Sequence, residues 1–123
     1  GKAFESHLAE TEEQVTRLEQ VFEMLGEKPK ATKCPAIEGI IEEANELIAD
    51  IQDPDTRDAG MIAAAQAVEH YEITRYGTLV SWAELLGMKD AAKVLGQTLK
   101  EEYGADQKLT KLAESRLNKE AAE

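Results

Sequence analysis

Residues 58–86, DAGMIAAAQAVEHYEITRYGTLVSWAELL, constrain the chain more than any other stretch. Taken at alternating steps of three and four, they give the seam Ile62, Ala65, Glu69, Glu72, Tyr76, Leu79, Ala83, Leu86. This is the inward stripe of a long amphipathic helix. A second stripe, Val68, Glu72, Arg75, Leu79, Trp82, Leu86, shares Glu72 with the first. Glu72 is therefore predicted to face the middle of a core, with Glu69 one turn before it. A buried carboxylate is costly unless something compensates it, and two of them one turn apart repel. The fold must supply a cation, by metal binding or by ion pairing.

The rest of the chain reads as helix. Residues 2–25 carry the seam Phe4, Leu8, Thr11, Val15, Leu18, Phe22, Leu25 beside a second, His7, Thr11, Gln14, Leu18, Val21, Leu25. His7, Glu10 and Gln14 share a face at the border of the core, and Gly26 is a C-terminal cap. After the polar loop 27–34, Pro35 suits the first turn of a helix over 35–52, built on Ile37, Ile40, Ile41, Ala44, Leu47, Ile48 and Ile51 with Glu43 at its edge. Pro54 is predicted to stop that helix, and Asp55 or Thr56 to cap the next. A last helix over 90–118 has seams through Leu95, Leu99, Glu102, Asp106, Leu109, Ala113 and through Leu95, Thr98, Glu102, Ala105, Leu109, Leu112. The terminal NKEAAE is expected to fray. The reading is all-α, three long helices and a shorter one, in one domain over 1–123.

Composition narrows the function classes. A net charge of −11 disfavours nucleic acid and anionic lipid as partners. No apolar run has the length of a membrane span. The single cysteine, Cys34, excludes an intramolecular disulfide and suits a reducing compartment, the cytoplasm. No glycine-rich phosphate loop, no Cys-x-x-Cys and no nucleophile with a base nearby is present.

Three helices thus carry acidic or imidazole groups on inward faces near their middles: His7 and Glu10, Glu69 and Glu72, Glu102 and Asp106. Two metal ions would neutralise them, standing about 3.5–4 Å apart under bridging carboxylates. An oxygen-rich site with one histidine suits iron or manganese better than zinc. Helical bundles with inward glutamates house such pairs. Each residue also has a plainer reading. Glu10 fits a solvated face, Glu102 sits in an exposed-looking Glu-Glu pair, and Arg17 or Arg75 could pair with Glu10 or Glu72. His70 lies on a different face from the seam, beside the cluster or at the surface, and Tyr76 suits either a donor to Glu72 or the core.

The segments HLAETEEQVTRLEQVFEMLG, CPAIEGIIEEANELI, DAGMIAAAQAVEHYEITRYGTLVSWAELLG and LGQTLKEEYGADQKLTKLA together resemble the YciF-like family of bacterial stress proteins over nearly the whole chain. The HLxET, EHYEI-x-x-YGTL and EExxxD signatures make the likeness specific. It implies a ferritin-like antiparallel helical bundle related to rubrerythrin, with the helix at 35–52 as the crossover and a pair of metal ions in the bundle. The leading expectation built on it is a stress-associated protein whose two iron or manganese ions react with oxygen or peroxide. Glu69, Glu72 and Glu102 would bridge or chelate, and His7, Glu10 and Asp106 would complete the shell. Glu43 and His70 match recurring family positions. Two departures stand out. Ferritin-like sites present Glu-x-x-His, whereas this chain has His7-x-x-Glu10 in reverse and no histidine beside Glu102 and Asp106. Family members also carry a preceding helix with its own inward glutamate, and this sequence starts after it, without an initiator methionine. Phe4, Leu8, Val15, Leu18 and Phe22 would then line a groove, covered by an upstream helix or by a second copy in a two-fold dimer. The competing expectation is a non-enzymatic helical module with an ion-paired acidic core.

Overall fold

The computed structural model describes residues 2–123, with side chains for 5–115 and 118–123. It is all-α: α1 (Lys2–Leu25), α2 (Pro35–Asp50), α3 (Pro54–Leu85), α4 (Lys89–Leu112), a π-helical segment (Ala113–Leu117) and α5 (Asn118–Ala122). Among the described residues no strand is present, and no helix is long and apolar enough to cross a membrane.

The helix ends follow from local chemistry. Gly26 and Gly87 adopt φ of +71° and +74°, the left-handed conformation that glycine takes without a Cβ clash. Each closes its helix with a paired wrap. Gly26 N–H bonds Glu23 C=O and Glu27 N–H bonds Phe22 C=O; Gly87 and Met88 do the same to Glu84 and Ala83. Pro35 opens α2 at its first turn, with Cys34 at the N-cap in an extended conformation.

Three boundaries differ from expectation. Pro54 does not stop a helix but starts α3, ahead of the caps predicted at Asp55 or Thr56. Asp53 is the cap, its Oδ2 accepting from Thr56 N–H at 2.9 Å and Thr56 Oγ1 at 2.8 Å, so neither Asp55 nor Thr56 caps α3. Proline at the first helical position lacks only an N–H that has no partner there anyway. The helix at 35 ends at Asp50 rather than 52, because Ile51 turns to φ −83°, ψ 118°. The terminal segment, expected to fray, is helical over Asn118–Ala122 after one π-helical stretch.

The chain divides into two compact units: residues 1–32 with 74–101, and 33–73 with 102–123. In the first, Ala83, Ala91, Ala92 and Leu95 form a buried cluster, flanked by Leu18, Val21, Tyr76, Val80 and Met88. Three of the four buried members are small alanines, one before and two after the α3–α4 turn. α1 is tied to α4 by Arg17, whose Nη1 and Nη2 donate to the two carboxylate oxygens of Glu101 at 2.6 and 2.9 Å. Arg17 Nη1 also donates to Thr98 Oγ1 at 3.2 Å, and Gln14 Nε2 donates to Glu101 Oε1 at 3.2 Å. Arg17, a possible partner for Glu10 in the plainer reading of the sequence, forms its ion pair with Glu101.

In the second unit, the N-terminal part of α3 runs antiparallel to the C-terminal part of α4. Gln66 bonds Thr110 and, one turn on, His70 bonds Asp106. α2 joins them through Cys34 Sγ, 3.0 Å from Tyr71 Oη, and through Ile51, whose Cδ1 lies against Gly60.

In the first seam of α3, Ile62, Ala65, Glu72 and Tyr76 are half-buried and Glu69 and Ala83 buried, but Leu79 and Leu86 are exposed. The second seam is not an inward face, because Arg75, Leu79, Trp82 and Leu86 are exposed. On α1 the inward residues are Glu10, Gln14, Arg17, Leu18, Val21 and Phe22, whereas Leu8, Val15 and Leu25 are exposed. Phe4 lies outside the described side chains.

Candidate metal centre

Glu69 and Glu72 stand one turn apart on α3, and Glu102 faces them from α4. One carboxylate oxygen from each lies within 4.8 Å of the other two. Glu69 is 6% exposed and Glu102 2% exposed, while Glu72 is half-buried. Oε2 of Glu69 is buried and accepts no hydrogen bond among the described residues.

Electrostatics makes this arrangement unstable when fully ionised. Two unit charges 4.8 Å apart repel by about 3.5 kcal/mol at an effective dielectric of about 20. Three such pairs reach on the order of 10 kcal/mol, comparable with the whole net stability of a small domain. The carboxyls respond by holding protons. Burial, then hydrogen bonding with Glu102 and the charges of Glu102, Glu72 and Asp106, pushes Glu69 up to about 9. Burial and the proximity of Glu102 push Glu72 up to about 8. A bound cation offers the other remedy. All three donors are hard oxygens, and the buried lone pairs of Glu69 Oε2 are directed at no N–H or O–H, so the residues fit a hard metal ion.

Asp106, one turn after Glu102, borders the cluster closely enough for its charge to act on Glu69. Its Oδ1 accepts from Gln66 Nε2 at 3.2 Å and from His70 Nε2 at 2.9 Å. The same Gln66 Nε2 donates to Thr110 Oγ1 at 2.7 Å. Gln66 and Thr110 were not singled out in the sequence; their signal is position, since Gln66 lies one turn before Glu69 and His70, and Thr110 one turn after Asp106. His70 is exposed and joined to Asp106. His7 and Glu10 belong to the first unit, on α1, His7 exposed and Glu10 half-buried. Glu43 is exposed on α2.

An all-helical protein with a buried cluster of glutamates from two helices is the class that fold and site define. The chain belongs to the family described as a domain of unknown function, DUF892, which matches residues 1–122. It is 53% identical over 122 residues to Protein YciF of Escherichia coli (strain K12), covering 98% of this chain and 74% of that protein. The crystal structure of the Escherichia coli stress protein YciF superposes with a TM-score of 0.87 at 53% identity, over 96% of this chain and 75% of that one. YcfI of Rhodopseudomonas palustris superposes with a TM-score of 0.85 at 51% identity, over 89% and 69% of the two chains. The helical bundle and the YciF-like family expected from the sequence are thereby established.

Proposed function

We propose that this chain is a stress-associated carboxylate protein that holds a pair of iron or manganese ions. The observation that carries the reading is the buried triad Glu69, Glu72 and Glu102, with oxygens within 4.8 Å of one another. Together with Asp106 it offers four carboxylates, enough negative charge for two divalent ions. Glu69, Glu72 and Glu102 would hold the ions as bridging or chelating ligands, and Asp106 would complete the shell. The carboxyls must release their protons as the ions bind, so binding weakens as pH falls. Bound iron or manganese supplies one-electron chemistry with oxygen or peroxide, and burial of Glu69 and Glu102 keeps bulk water from the ions.

Anaerobic Fe(II) titration followed by oxygen tests the proposal. Saturable binding near two ions per chain, then near-ultraviolet absorption from carboxylate-bridged ferric iron, is expected. Absence of binding would favour a purely structural helical module, the role suggested for the Rhodopseudomonas palustris relative. The bidentate Arg17–Glu101 pair favours that second reading to the extent that one acidic side chain of α4 is already matched by a base.

A further inference from the structure

Resting on that metal-site reading, we propose that His70 is the capture point for the metal: its Nδ1 takes a first-row divalent cation from water, and Asp106 passes the ion inward to Glu69. Three observations in the second unit carry this.

The first is a gradient of exposure along a contiguous polar path. The His70 side chain is 67% exposed and that of Asp106 20%. Glu69, within reach of the Asp106 charge, is buried. The buried Glu69 and Glu102 need some route for a hydrated ion, and exposure falls stepwise from His70 through Asp106 to Glu69.

The second is the tautomer of His70. A carboxylate oxygen only accepts, so the 2.9 Å contact to Asp106 Oδ1 places the proton on His70 Nε2. In the neutral ring Nδ1 then carries a lone pair. A histidine whose one ring N–H is held by a carboxylate, leaving the other nitrogen basic, is the arrangement metal-binding histidines share.

The third is how Asp106 is held. Both Gln66 Nε2 and His70 Nε2 bond to Oδ1, and Gln66 is itself anchored on Thr110. The aspartate is thus oriented through one oxygen, while Oδ2 keeps its lone pairs for an ion moving inward. The negative charge of the cluster and of the chain supplies the attraction. A histidine satisfied by Asp106 and nothing more would share the geometry but would have no effect on loading rate.

The test is the rate at which metal-free protein takes up limiting Mn(II), followed by freeze-quench EPR of the free ion. His70→Ala is expected to slow uptake on the order of tenfold and to leave the final number of bound ions unchanged. His70→Gln keeps an N–H donor for Asp106 but lacks the imidazole lone pair, and is expected to slow uptake equally. His70 is exposed, so neither change removes core packing, and circular dichroism checks the fold of both variants. Loading of either variant at the wild-type rate overturns the capture role. A lower end-point with an unchanged initial rate also overturns it, making His70 a ligand of the final site. If wild-type protein takes up no Mn(II), the metal-site reading itself has failed; if wild type loads and the variants match it, only the capture role has.

Discussion

Glu69 and Glu72 give the metal-free protein an unusual pH dependence. Their folded-state pKa values, about 9 and about 8, lie above the usual value near 4.5. Between those limits the unfolded chain loses protons that the folded chain keeps. The stabilisation is therefore fully present below about 4.5 and is lost as pH rises through about 8 to 9. Even one group behaving this way changes stability on the order of 1 kcal/mol per pH unit. Urea unfolding of chelator-treated protein is expected to give a midpoint that rises from pH 8 towards pH 5. A midpoint falling over that range would mean that the carboxylates are ionised and satisfied by bases. Glu72→Gln removes one of the repelling charges while keeping the shape. It is expected to flatten the pH dependence, stabilise the metal-free form at pH 8 and weaken metal binding. Glu43→Gln, on the exposed edge of α2, should leave Mn(II) affinity within twofold of wild type. Equal isothermal-titration affinities for the two variants would place the metal elsewhere.

At the scale of elements, α3 depends on its start and α1 on one side chain. Asp53 holds Thr56 N–H and Oγ1, and these bonds, backbone first, pull its carboxyl below the ordinary aspartate range. That contribution is present above the ordinary aspartate pKa and disappears as pH falls through the depressed one. Asp53→Ala should lower the melting temperature at pH 7, and the difference from wild type should vanish in strong acid. Arg17→Ala removes a bidentate contact between α1 and α4 and strands Glu101, which is 23% exposed and so partly hydrated. A loss of about 2–4 kcal/mol in urea unfolding is expected, with Arg17→Ala/Glu101→Gln recovering part of it. The sequence shows the first seam of α3 and the seams of α4 plainly, because glutamates interrupting apolar steps of three and four have only one face to occupy. Glu69, Glu72 and Glu102 are legible for that reason. Arg17 is not: its partner lies 84 positions away, and no local pattern distinguishes a buried arginine from a solvated one. Leu79, Trp82 and Leu86 mislead for a packing reason. The end of α3 carries large apolar residues on more than one face, and the buried cluster takes Ala83 with Ala91, Ala92 and Leu95, leaving Trp82 59% and Leu86 75% exposed. Pro54 misleads because its effect depends on whether the residue before it caps, and Asp53 does.

For the molecule as a whole, metal loading changes both local repulsion and net charge, and the two effects must be separated. The chain carries −11, so any divalent ion stabilises it somewhat by screening. Specific binding to the folded state adds a further term by mass action, about 2.7 kcal/mol when free ion stands at about 100 times Kd. For a chain of this length that corresponds to a rise on the order of 10 °C in melting temperature. Mg(II) at the same concentration provides the screening, but it surrenders its water reluctantly to a buried carboxylate cage. Chelator-treated protein is therefore expected to melt several degrees higher with Mn(II) than with Mg(II) at pH 7. The excess should shrink in Glu72→Gln, which keeps nearly the same surface charge, and should persist in 0.5 M potassium chloride, where the Debye length falls to about 4 Å. A shift equal for both ions, abolished by salt and indifferent to Glu72, would reduce the effect to counterion screening. A shift specific to Mn(II), resistant to salt and lost with Glu72 would place the stabilising ion among Glu69, Glu72 and Glu102.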